Sequence, residues 1–145
     1  MDAEAVQTLI QGDRKEWEAL VAALEAHPKG PLHDPESPEW TSRDVYAHLA
    51  RWMERSTEGL QSWLASRTIL PPVEGTDDEI NARWQEQDSA VSLDEARERA
   101  QRAFDGLHQA IEAVPLDRWD GVVEAIAHAD GAEHYANHRK YVVAS

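Results

Sequence analysis

The chain contains no cysteine. Disulfides, thiolate metal ligands and a cysteine nucleophile are excluded together, so any thiol chemistry must use a thiol brought in from outside. Basic residues are also scarce: 14 Lys and Arg stand against 28 Asp and Glu, for a net charge of −14. Such a field repels a phosphate backbone and an anionic bilayer, and no basic block interrupts it, so neither nucleic acid nor membrane is expected as a partner. No apolar run approaches the roughly 20 residues of a membrane span. The start of the chain, MDAEAVQ, lacks the basic region and apolar core of a signal peptide, so a cytoplasmic location is expected. Glycine and proline number only seven each among 145 residues. With 41% apolar and 29% charged residues, the composition fits one soluble helical domain over residues 1–145, large enough to bury its own core.

What the chain does have is helical periodicity. From Ala3 to His27, Val6, Leu9, Ile10, Trp17, Leu20, Val21 and Leu24 recur at three and four, with Asp13, Lys15, Glu16 and Glu18 assigned to the opposite face. Pro28 ends this helix, and PKGPLHDPESPEW, with four prolines, reads as an ordered surface loop. A second helix opens at Thr41 or Ser42 with Asp44 in its first turn, and Val45, Leu49, Trp52, Met53, Leu60, Trp63 and Leu64 form its stripe to about Ser66. A long connection follows, about Arg67 to Val91, in which the capping box TDDE at Thr76–Glu79 predicts a short helix to Gln87. A second box, SLDE at Ser92–Glu95, opens the third long helix, which ends before Pro115. Asp120 caps a last helix expected to run unbroken from about Val122 to Val143, with Gly131 as a weak point suited to a close packing contact. Four long helices predict an all-α four-helix bundle. The long connection can cross the whole bundle and carries the short helix, so the order up-down-down-up is expected.

The stretch with the most chemistry is DGAEHYANHRKY, Asp130–Tyr141. On a helix, His134 and His138 leave the same face about 6 Å apart at Cβ, a spacing that lets two neutral imidazoles hold one metal ion. The third ligand expected is His48, which points into the apolar stripe of the second helix. His48 lies about seven residues after the start of its helix, and the His134/His138 pair about seven before the end of theirs. If the two helices are antiparallel neighbours, both positions sit roughly 10 Å from the same end of the bundle. The competing reading of each is a core histidine bonded to a neighbour. His27, His33, His108 and His128 read as solvated or helix-end residues. Trp17, Trp40, Trp63 and Trp119 read as packing, whereas Trp52, Trp84 and Tyr141 are placed to wall a pocket. Glu54, Asn81, Asn137 and Tyr141 are candidates to orient the ligand rings. No catalytic acid or base stands out.

Three segments resemble the DinB superfamily. WTSRDVYAHLARWMERSTEGLQSWL carries the pattern W-[ST]-x-x-D-x-x-x-H-L of its second helix, and HYANHRKYV the H-x-x-x-H of its last. EINARWQEQDSAVSLDEARERA is similar to the ClbS/DfsB-like branch. The resemblance covers roughly Trp40 to Val142 and implies an up-down-down-up four-helix bundle with zinc or nickel held by His48, His134 and His138. It implies as activity a thiol-dependent transferase or isomerase acting on small electrophiles, with a low-molecular-weight thiol such as mycothiol, bacillithiol or glutathione as cosubstrate. Two alternatives stay open: a ClbS-like hydrolase that detoxifies a reactive small molecule, and a stress-related binding protein without turnover. The expected partners are a small-molecule substrate and, for a bundle of long amphipathic helices, a second copy of the chain in a homodimer.

Overall fold

The computed structural model describes residues 1–143, which are all-helical apart from their connections. The helices are α1 (Ala3–Glu25), α2 (Ser42–Ser66), α3 (Asp77–Gln87), α4 (Leu93–Glu112), α5 (Gly121–Ala129) and α6 (Ala132–Val143), with a single 3-10 turn at Leu116–Arg118. Their starts follow from side chains that satisfy the free N–H groups of a first turn. Asp2, Thr76, Ser92 and Asp120 each accept from the backbone three residues on. At α2, Thr41 is the N-cap, and the Asp44 carboxylate accepts from its N–H at 2.9 Å and its hydroxyl at 3.1 Å. The TDDE box is complete, since Glu79 reaches back to the Thr76 N–H. No helix among the described residues is long and apolar enough to cross a membrane.

The core joins the stripes of α1, α2 and α4 to Val123, Ala127, Tyr135 and Val142. Trp17 is 2% exposed, stacks on Phe104 at 5.0 Å and meets Tyr135 edge-on at 5.3 Å. Polar bridges between helices fix their relative directions. Along α1, Asp13, Trp17 and Glu25 meet His108, Gln101 and Arg97 of α4, so these two helices run oppositely. Asp13 and Glu16 meet Ala132 and Arg139, so α1 and α6 run the same way. On α2, Ser56 and Trp63 meet Asp130 and Asp120, again in opposite order. Arg43 and Glu54 of α2 reach Val91 and Arg99 in the same order, so α2 and α4 are parallel.

Three expectations are corrected here. The last helix is broken at Asp130–Gly131, and its halves separate: α5 packs on α2, while α6 packs mainly on α1. The cause lies in Asp13. Its Oδ1 accepts from the Ala132 N–H at 2.8 Å and would lie 2.7 Å from a Cβ at position 131, so only glycine lets α6 begin there. Asp13 is also not on the polar face. It falls three residues after Ile10 and four before Trp17, on the buried stripe, and is 5% exposed. Its Oδ2 meets His108 Nε2 at 2.8 Å, and His108 Nδ1 lies 2.9 Å from the Phe104 carbonyl. His108 is therefore a buried core residue rather than a solvated one, because it sits four after Phe104 and three before Ile111 on the α4 stripe.

Two stability predictions follow from this packing. Gly131→Ala is expected to lower stability by about 1–3 kcal/mol, since Asp13 is pinned on two sides and cannot move freely aside. Chemical denaturation measures it. The second concerns Asp88, which Arg51 binds through both carboxylate oxygens at 2.7 and 2.9 Å. That bond, with the charges of Arg51, Arg99 and Arg43, holds the Asp88 carboxyl below its ordinary value against the effect of burial. A lowered folded value stabilises the protein above the unfolded value near 3.8, and the contribution is lost as pH falls through the folded one. Asp88→Asn should cost about 1–2 kcal/mol at pH 7, less than for a sealed pair because Arg51 keeps 23% of its side chain exposed. The gap between variant and wild type should persist to about pH 4 and close below it.

Candidate metal centre

The break that separates α5 from α6 also builds the site. His48 comes from the buried face of α2, and His134 and His138 lie one turn apart on α6. One ring nitrogen from each of the three lies within 4.8 Å of the other two. The Nε2 atoms of His134 and His138 are 3.1 Å apart. A tetrahedral ion with bonds of 2.0–2.1 Å sets its ligands roughly 3.4 Å from one another, so this pair already has close to the required span. The ring of His48 lies 5.1 Å from that of His138 and 5.8 Å from that of His134, centre to centre. The group could hold a metal ion.

The electrostatics favour the form that binds metal. Burial, then the neighbouring His138 and His134, hold His48 well below the ordinary histidine value, against a smaller opposing effect of Asn81. Burial, then His134, pushes His138 down to about 3. Both rings are therefore neutral at pH 7, as ligation requires. His48 Nδ1 is buried without a hydrogen-bond partner, an arrangement that costs about 1–3 kcal/mol and that a bound cation could relieve. Trp40 covers the His48 ring edge-on at 5.2 Å.

One positioning residue escaped the reading of the sequence. Asp130 Oδ1 lies 3.1 Å from His134 Nδ1, and its other oxygen accepts from Ser56. A carboxylate only accepts, so the His134 proton is assigned to Nδ1 and Nε2 keeps its lone pair for a ligand. The signal was the i, i+4 spacing from Asp130 to His134, which repeats the spacing of the histidine pair.

The other candidates divide. Trp52, Asn81, Asn137 and Tyr141 line a cavity of about 990 Å³ that includes all three histidines, and Trp40 and Trp63 line it as well. Trp84 does not line it but meets Trp52 edge-on at 4.8 Å, and Trp52 Nε1 donates to Asn81. Glu54 is on another face, paired with Arg99. His128 is exposed, His33 is exposed and His27 Nε2 meets the Pro31 carbonyl. Comparison with known proteins finds no matching family model, no matching curated protein and no matching solved structure.

Alanine at His48, His134 or His138 should each weaken zinc binding by more than about 100-fold, and His128→Ala should leave it unchanged. Asp130→Asn, which removes the orienting charge, should weaken it by about 10–100-fold. Competition against a chromophoric chelator at pH 7 reads all five.

Proposed function

We propose that the chain is a DinB-like four-helix bundle enzyme that uses a tri-histidine metal, zinc or nickel, to join a low-molecular-weight thiol to a small electrophile. The bundle in this reading has the order up-down-down-up, with α1, α2, α4 and the pair α5–α6 as its four members and α3 in the crossover. The helix directions derived from the polar bridges support that order. The observation that carries the functional reading is the convergence of one ring nitrogen from each of three histidines at a cavity wall, with His48 Nδ1 buried and left without a partner.

When bound, the metal would supply Lewis acidity that lowers the pKa of an incoming thiol and holds it as thiolate. The chain supplies the rest. His48 and His138 are kept neutral by burial, so they offer lone pairs without first losing a proton. Asp130 fixes the tautomer of His134 and the aim of its ring. Three protein ligands leave a fourth position for an outside molecule. Trp40 and Trp52 wall this end of the cavity. The absence of cysteine fits, because the sulfur arrives with the cosubstrate.

Cobalt-substituted protein gives the test. Millimolar glutathione or another small thiol should add a sulfur-to-metal charge-transfer band in the near ultraviolet. Thiol and a model electrophile should then be consumed together, faster than in solution and only with wild-type histidines. Loss of the electrophile at the same rate without thiol would instead establish hydrolysis, and a thiol-insensitive spectrum with no turnover would leave a binding protein.

A further inference from the structure

The cavity wall changes chemistry along α2. His48 and Trp52 come first, Arg55 and Ser56 a turn later, then Gly59 and Trp63. Between positions 48 and 63 a helix rises roughly 22 Å, so the cavity extends well beyond the histidines. Three polar side chains along this stretch already have partners. Ser56 donates to Asp130, Arg55 to the Pro71 carbonyl, and the Trp63 indole to Asp120 at 3.1 Å. Gly59, Ile69, Leu70, Val122 and Ile126 supply an apolar stretch of the lining, to which α3 adds the exposed carboxylates of Asp77 and Asp78.

Two of these residues are hard to explain by folding alone. Ile69 is 69% exposed, the most exposed large hydrophobic side chain among the described residues. Gly59 lies inside α2, where glycine is a poor helix former. A Cβ there would meet only Leu70 Cδ1, at an ordinary 3.8 Å, so packing does not demand glycine. What its missing side chain provides is open space along the cavity wall.

We infer that the cavity takes an elongated amphiphile whose metal-binding or reactive head lies at His48, His134 and His138 and whose apolar tail runs along α2 toward Trp63. The inference rests on the metal reading above and narrows it: the electrophile has an apolar body, not a compact polar one. A tail carrying hydroxyls or negative charge would lose hydration against Ile69, Leu70, Val122 and Ile126 without regaining polar partners there.

The probes are straight-chain hydroxamates from two to eight carbons, titrated into cobalt-loaded protein and followed by its visible spectrum. Each added methylene should tighten binding roughly two- to fourfold, the range for partial to full burial of one CH₂. Gly59→Leu, which fills the tail path, should flatten the series beyond its shortest members. Ile69→Asp, on an exposed connection outside the core, should weaken the longest chains most and serves if Gly59→Leu folds poorly. A two-carbon probe that binds, with no gain from longer chains, overturns the inference and leaves the metal reading intact. If cobalt is not taken up, the metal reading fails, and the apoprotein is titrated with 1-butanol and 1-octanol by tryptophan fluorescence. Tighter binding of octanol, lost in Ile69→Asp, then supports the apolar end by itself, and equal binding overturns it.

Discussion

The site depends on two aspartates on either side of one glycine. Asp13 holds His108 of α4 with one oxygen and the first N–H of α6 with the other, and its carboxylate fills the space where a side chain at position 131 would be. Asp130, the residue before that glycine, reaches Ser56 of α2 and the ring of His134. Between them they tie α1, α2, α4 and both halves of the last segment together through buried polar groups. Buried carboxylates are tolerated only when their oxygens are satisfied, and here each oxygen of both has a partner. Breaking the helix at this point lets α5 stay on α2 while α6 turns onto α1, and room for a cavity is left where α2 faces α6.

The division of labour among the histidines follows from their helices. His48 stands on the most buried stretch of the chain, Asp44 to Ala50, so its position is set by core packing. His134 and His138 are half-buried on a short helix whose own first turn is anchored by Asp13. A cluster of this kind is arranged before any ligand arrives, which reduces the ordering that binding must impose. The core does not need the ion: Trp17, Phe104, Tyr135 and the aliphatic stripes pack against one another directly. Metal binding should therefore report on function more than on folding.

Much of this was legible from spacing. The long helices and the capped α3 follow from apolar periodicity and capping boxes. His48, His134 and His138 do converge, but with the pair on α6, packed mainly against α1, rather than on one unbroken helix beside α2. What escaped were buried polar residues. Asp13 and His108 each sit at the correct interval on an apolar stripe, but their chemical character places them outside it, and their partnership spans 95 positions. Gly131 was legible as a weak point and a close contact, but the full break there was not, because helical composition continues across it; its cause is a side chain on α1. The apolar end of the cavity was hidden for a similar reason, since Ile69 and Leu70 lie in a connection whose path no local pattern encodes.

The central claim is that three histidines from two distant segments form one metal centre. Anomalous diffraction at the zinc edge, from crystals grown with one equivalent of zinc at neutral pH, tests it without assuming any reaction. The account predicts one strong peak per chain, about 2.0–2.1 Å from a single ring nitrogen of each of His48, His134 and His138. Zinc found only on surface carboxylates, with the three rings in place and no peak between them, would contradict it.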